Sequence, residues 1–319
     1  MAGRALAAEL SAGARDAAEA LVRAGGADLR GLVFFGSRRT SAAPDPWSAQ
    51  DFFVATRGYR GFYRSLRASC QTHRHPLLLA ALNALMPPNQ VPVWGRREAA
   101  GYQGLAKCAV IDLQRLLREC SSRRHDHFCA GRLFQPTAIA YAADEDARGT
   151  IVDALTSAHR LTYGWVRPWL PPSFDAEAYC RRLLEVSMAF EIRPESRARA
   201  RALFEAQREE LLAVYPLLLE ELADAGELER REGRFSLRRR VGRFEALRVR
   251  LYFARSLGRA TLRWFKYVVT FEGWLDYILR KVERRTGQRI EVTSSERRFP
   301  LLLLWGKFYR LWRDRDRGA

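Results

Sequence analysis

The chain has 319 residues, 48% apolar and 28% charged, an ordinary composition for a globular protein with a sizeable core and, on length, about two domains. Its net charge of +18 is not ordinary: residues 234–319 hold 23 basic and 8 acidic side chains, a net of +15, against 31 and 28, a net of +3, over 1–233. A segment so charged seeks an anionic surface, nucleic acid or acidic lipid, while five scattered cysteines without a C-x-x-C argue against a disulfide framework or a zinc site and fit a reducing compartment.

Taken in chain order, residues 5–24 read as an amphipathic helix ending at Gly25-Gly26; Glu9 and Asp16 lie inside its apolar periodicity, so it is not a signal peptide. Strands follow at 31–36 and 51–55, a helix at 77–85 before Pro87-Pro88, a third strand at 105–111 and a helix at 113–120. A short strand at 137–141 closes a mixed α+β unit over 1–140. Residues 147–163 and 174–190 read as helices and 196–225 as one long helix or a pair, giving a helical domain over 141–233. The basic stretch 233–243 marks the change in charge regime and opens a third region, 234–319.

The stretch from Gly31 to Val54 carries the first chemical signal. An apolar run ends in Gly36-Ser37, and after a loop Asp51 opens a second apolar run. A glycine lets backbone approach a triphosphate, a serine hydroxyl donates to a phosphate oxygen, and an aspartate holds Mg²⁺. The same residues also suit an ordinary hairpin turn. Lys107 lies inside an apolar strand and needs an anionic partner or a solvent-facing slot; beside the other two strands its ammonium would reach a triphosphate. His125-Asp126-His127 lacks partners at ligand spacing and reads as a polar cluster at a helix end rather than a metal site. No G-x-S-x-G, G-x-x-x-x-G-K-[ST] or G-x-G-x-x-G is present, which removes support for serine hydrolase, P-loop and dinucleotide-binding readings.

In the basic region, Trp264, Val268, Phe271, Leu275, Ile278 and Val282 fall at spacings that make one helical stripe, with arginines and lysines at its ends. A second aromatic-basic stretch runs from Phe299 to Arg315. An apolar face with a cationic rim suits an interfacial membrane helix. It also suits core packing, and arginine with tryptophan or tyrosine can stack on bases. The unbroken run Leu301–Trp305 favours lipid, and no run reaches the ~18 apolar residues of a membrane span.

Residues 30–195 carry a set of motifs in a fixed order: Gly36-Ser37, then Asp51-Phe52-Phe53, then Lys107-Cys108-Ala109-Val110-Ile111. Ala130-Gly131-Arg132-Leu133 with Pro136 follows, and then Ser187 with Glu191 and Arg193. This order resembles the mitochondrial translocator assembly and maintenance protein family, the peripheral CDP-diacylglycerol synthases (phosphatidate cytidylyltransferases). The resemblance implies a polymerase-β-like nucleotidyltransferase domain with a mixed sheet, a winged-helix-like helical domain completing the active site, and a basic amphipathic membrane-binding segment. It implies CTP as co-substrate, Mg²⁺ as cofactor and phosphatidic acid as acceptor, with pyrophosphate released. Gly36 and Ser37 would cradle the β- and γ-phosphates, with Arg38 and Lys107 also against CTP. Asp51 would ligate Mg²⁺, with Glu191 and Asp112 as candidates for a second metal carboxylate. Arg132 and Arg193 would pair with phosphates. The expected setting is peripheral, on the cytoplasmic face of a bacterial-type membrane. The chain departs from the family at Arg38, Gln135, Phe190 and Glu191, near Phe62-Tyr63 where a histidine is expected, and around Asn89. Two alternatives remain: an RNA- or tRNA-directed nucleotidyltransferase, and a catalytically inactive membrane-binding scaffold.

Overall fold

The computed structural model describes residues 8–40, 48–95, 104–191, 197–286 and 290–298, with the single positions 3, 5 and 303. The chain is α+β and divides into two compact units, Met1–Thr270 and Phe271–Ala319.

The first unit is built on a mixed sheet of β1 (Leu29–Phe35), β2 (Gln50–Thr56), β3 (Asn89–Trp94), β4 (Leu105–Asp112) and β5 (Ala138–Ala142), in the order β3-β4-β2-β1-β5. β2 and β4 run parallel; the other neighbours are antiparallel. The four strands expected from sequence form. β3 was not expected, because it is short and carries Pro92; it survives as an edge strand, where a missing N–H is tolerated.

The central strands read as unbroken apolar runs because both faces of the sheet are covered. Phe34, Phe52, Val54, Cys108 and Val110 enter one cluster, under α1 (Ala12–Gly25), α3 (Tyr59–Ala68) and α4 (Pro76–Leu85). Val33, Phe35, Phe53, Ala55, Ala109 and Ile111 enter the other. That second face is covered by α5 (Leu113–Glu119), α6 (Ala130–Leu133) and α7 (Glu145–Val166). The expected helix over 5–24 is interrupted: residues 8–11 are not helical, and α1 begins at Ala12, where Ser11 Oγ accepts the Ala14 N–H at 3.3 Å.

A third cluster gathers Trp165, Tyr179, Phe204, Tyr215 and Phe253. It joins α7 to α8 (Ala176–Ala189), α9 (Arg197–Leu212) and α10 (Tyr215–Asp224), so of the two forms expected for 196–225, one long helix or a pair, the pair is found. Beside them lies a small antiparallel sheet, β6 (Ser173–Phe174), β7 (Leu228–Arg231) and β8 (Arg234–Leu237), in the order β6-β8-β7. The basic stretch 233–243 is thus not a bare joint. Its first half is β8, whose buried Phe235 packs on Phe174.

α11 (Arg243–Thr270) follows. The stripe expected over 264–282 is not one helix. α11 stops at Thr270, Gly273 adopts φ +75°, and α12 (Trp274–Thr286) starts afresh before α13 (Ser294–Arg298). A positive φ is open to glycine and costly for other residues, so the break is written at Gly273. Phe299–Arg315 lies outside the described residues except for Leu303, which is exposed. No helix among the described residues is long and apolar enough to cross a membrane.

Candidate active site

β1 ends at Phe35, which sits opposite Asp51 on β2, and Asp51 sits opposite Lys107 on the parallel neighbour β4. By the two-residue period of a strand, Asp51 and Lys107 project on the face that carries Phe53 and Ala109. Their charged ends meet: Lys107 Nζ lies 3.6 Å from Asp51 Oδ1, with both side chains partly exposed. The strand lysine therefore has the anionic partner its position demanded.

Gly36 is the residue this corner cannot replace. Its φ is +84°, and a Cβ built on it would lie 2.7 Å from Asp51 Oδ2. The absent side chain is the space the carboxylate occupies. The Gly36 carbonyl accepts from the backbone N–H groups of Arg39 and Thr40 as α2 (Ser37–Thr40) begins. Ser37 Oγ stands 3.5 Å from Ser48 Oγ.

Arg38 and Arg39 fix α2 from two sides. With its amide oxygen turned toward Arg38, the buried Gln50 accepts from Nε at 3.3 Å and Nη2 at 3.2 Å, one residue before Asp51. Arg39 makes a bidentate pair with Glu210 of α9, at 2.8 and 2.5 Å. Sequence reasoning passed over Arg39 and Gln50. The only available signal was that two adjacent arginines at a strand end need partners.

Arg132, on α6, forms a second group. It lies 3.9 Å from Glu191, donates to the Phe128 carbonyl at 3.0 Å, and its guanidinium sits 4.0 Å from the Phe128 ring centroid. Phe128 in turn packs edge-on to Phe53, with centroids 6.0 Å apart, and Phe53 lies 4.7 Å from Phe35. The Asp51–Lys107 corner and the Arg132–Glu191 pair thus share one face of the sheet, joined by three aromatic rings. Phe128 was not singled out from sequence, since its role comes only from this packing.

Asp112 does not join them. It caps α5, accepting the Arg115 N–H at 3.0 Å, and lies five residues along β4 from Lys107, about 17 Å at strand rise. It stands opposite Thr56, at the far end of β2 from Asp51, so its expected place as a partner carboxylate for Asp51 is corrected. Arg193 lies outside the described residues.

Several departures from the family pattern have structural partners here. Tyr63 accepts from Asn83 and Asn89 at 3.0 and 2.9 Å in a buried network that anchors the start of β3. Gln135 donates to the Gly131 carbonyl and accepts from Gln207, at 3.3 and 3.4 Å. Phe190 stacks on Phe253 of α11, with centroids 4.3 Å apart.

Among the described residues, the corner offers a cation one carboxylate, Asp51. No group of three or more His, Cys, Asp or Glu suited to a metal occurs among the described residues. Mg²⁺ is often bound by one or two carboxylates with water and substrate phosphates completing the shell. Asp51 alone fits that minimum, and Phe53 fills the next same-face position on β2.

His125-Asp126-His127 is a polar cluster, as its spacing suggested. His125 Nδ1 meets Glu119 at 2.6 Å, and Asp126 pairs with Arg259 and Arg263 of α11 at 2.9 and 2.6 Å. Burial alone would raise the Asp126 pKa; the two guanidiniums and the Phe128 N–H outweigh it and leave the pKa below the usual carboxylate value. His127 hydrogen-bonds Ser187 and Tyr252, and burial drives its pKa down to about 3.

No protein-family model matches the chain, and no curated protein shows significant similarity to it.

Proposed function

We propose that the chain is a CTP-dependent nucleotidyltransferase acting at a membrane surface, with phosphatidic acid as acceptor and CDP-diacylglycerol and pyrophosphate as products. The observation that carries this reading is the Gly36–Asp51–Lys107 corner. A carboxylate fills the space of a missing Cβ and holds a lysine from the adjacent parallel strand.

A lipid phosphate oxygen attacks the α-phosphorus of CTP. A P–O bond forms there, the bond to the β-phosphate bridging oxygen breaks, and pyrophosphate leaves. The nucleophile is already anionic, so no strong base is required, and catalysis rests on positioning and charge neutralisation. Asp51 would hold Mg²⁺, whose chemistry is to offset negative charge on the phosphates. Lys107, steadied by Asp51, presents its ammonium to the triphosphate. The Gly36-Ser37 turn offers close backbone approach and a hydroxyl donor. Arg132 supplies a planar guanidinium for a second phosphate.

The mixed sheet is compatible with a polymerase-β-like domain. The order α7, β6, α8, α9–α10, β7, β8, with β6 paired to β8, is compatible with a winged-helix-like domain. The lipid acceptor is supported by α11, which exposes Phe244, Leu247, Leu251, Leu262, Phe265 and Val269 to solvent. These positions follow one 3.6-residue stripe, with Arg243 and Arg250 beside one edge and Arg248 and Arg255 beside the other. The reading of an inactive membrane scaffold rests on a specific observation too: the one corner carboxylate is already engaged by Lys107.

The deciding assay is incubation with CTP, Mg²⁺ and phosphatidate vesicles, following CDP-lipid by chromatography. Wild type should form product, and Asp51→Asn should reduce it by about a hundredfold or more, the scale of one electrostatic group. Equal and negligible product from both would reject the enzyme and leave the scaffold.

A further inference from the structure

The first two-thirds of the chain is nearly neutral, yet it carries a concentrated basic cleft. Arg60, Arg64 and Arg67 project from one face of α3 at i, i+4 and i+7, spanning about 10 Å along the helix. They form one wall of a cleft of about 560 Å³; His75, Pro76 and Leu77, where α4 begins, form the other. Among the described residues none of the three arginines makes an ion pair, although acidic side chains elsewhere in this unit are widely paired with arginine. Three unneutralised guanidiniums on one wall repel one another, and retaining them so close together fits an anion between them.

The cleft is separate from the proposed catalytic corner. α3 packs Phe62, Tyr63 and Leu66 into the cluster on one face of the sheet, whereas Asp51 and Lys107 lie on the other.

We propose that this cleft binds the phosphate headgroup of an anionic phospholipid and seats the sheet domain on the bilayer. Two observations favour lipid over nucleic acid. First, among the described residues no phenylalanine, tyrosine or tryptophan lines the cleft, whereas grooves for single-stranded nucleic acid stack successive bases on such rings. Second, the helix beside the arginines exposes leucines: Leu77, Leu78 and Leu85 are 50%, 44% and 77% exposed. Arginines over a phosphate layer with leucines reaching toward the acyl boundary is the pattern of an interfacial contact. Of these, Leu85 lies at the end of α4 that meets α11. Met86, next to Leu85, accepts from Lys266, next to Phe265.

The cleft rests on the membrane-surface part of the proposed function and not on its chemistry. The test is flotation of the full chain with phosphatidylcholine vesicles, with and without phosphatidic acid or phosphatidylglycerol, in the absence of CTP. The triple substitution Arg60→Gln, Arg64→Gln, Arg67→Gln keeps good helix formers on an exposed face, and circular dichroism checks the fold. It should weaken binding to anionic vesicles by about a hundredfold, roughly fivefold for each arginine removed from an anionic surface. A control with equal charge loss, Arg230→Gln, Arg231→Gln, Arg234→Gln on the β7–β8 hairpin, should lose much less. Glycerol phosphate should compete only weakly if the headgroup must be presented by a bilayer. The proposal is overturned if the cleft variant floats like wild type, if the hairpin control loses as much, if free glycerol phosphate competes fully, or if a single-stranded RNA binds the cleft more tightly than vesicles do. CDP-lipid formation from a soluble short-chain phosphatidate should be unchanged in the cleft variant, so the two readings fail separately.

Discussion

The sheet domain and helix α11 handle the same residue types in opposite ways. In the sheet, Phe34, Phe52, Phe53 and Val54 are wholly buried, and the charges of Asp51 and Lys107 sit at the partly exposed strand ends. In α11 the inward face is largely polar. Ser256 accepts the His127 N–H, Arg259 and Arg263 reach Asp126, Lys266 reaches the carbonyls of Met86 and Pro88, and Thr270 reaches that of Gln90. Val249 and Phe253 give this face its apolar contact near the start of the helix. The outward face carries the leucines and phenylalanines. A helix held by buried charge and showing apolar residues to solvent has its greasy side reserved for something other than its own core.

That contrast can be broken most severely at Asp126. Among the described residues its carboxylate is the one acidic group paired with Arg259 and Arg263, and it lies 5% exposed between them. Removing one member of a buried ion pair leaves the other charges uncompensated and costs about 3–5 kcal/mol. Asp126→Ala should lower unfolding stability by that amount in urea titrations. A loss below about 1 kcal/mol would show that α11 is held by its apolar contacts after all.

The next effect is a pH dependence. His127 lies between Trp165, Phe253 and Tyr252, and burial lowers its pKa to about 3; burial likewise lowers that of His159 to about 4. Both are neutral in the folded protein, while the unfolded chain takes up protons near the ordinary histidine pKa of 6.5. The unfolded state binds more protons below that value, so stability is full above pH 6.5 and falls as pH drops toward 4 and 3. Each histidine should contribute a slope of about 1.4 kcal/mol per pH unit in this window. Urea midpoints at pH 7 and pH 5 check this, and His127→Gln should remove about half of the slope. An unchanged midpoint in wild type would mean that His127 can be charged in place and the α11 contact is looser than its geometry.

What the sequence made legible follows the same divide. The strands at 31–36, 51–55 and 105–111 and the helices behind them could be read because apolar residues there are buried, which is the assumption behind every periodicity argument. Lys107 could be flagged because a strand lysine in an apolar run needs an anionic partner or a solvent-facing slot, and it has Asp51 beside it and partial exposure. α11 could not be read so. Its apolar stripe is the exposed side, and its buried side is written in arginine, lysine, serine and threonine. The pairing of Asp126 with Arg259 and Arg263 spans more than 130 positions, and no local pattern encodes it. The stripe drawn across 264–282 failed for a related reason. Counting apolar spacings alone passes over Gly273, whose backbone ends one helix before the next begins.

The gentlest perturbation bears most directly on why α11 is inverted. Phe244 is 90% exposed, and Leu247 and Leu251 continue its stripe. Replacing all three with serine removes no internal contact of the kind that Phe253 makes in the core, so stability should shift by no more than about 0.5 kcal/mol per site. Vesicle binding should respond far more strongly, because an apolar side chain entering the acyl boundary contributes about 1.5–3 kcal/mol. The two measurements together decide the matter. A stable variant that no longer floats assigns the outward face to the bilayer. A variant that loses several kcal/mol of stability would show that this face is buried in the native protein, and the opposition between sheet and helix would disappear. A stable variant that still floats would leave the arginines of α11 and of the α3 cleft to hold the membrane through charge alone, and raising the salt concentration would then release the protein.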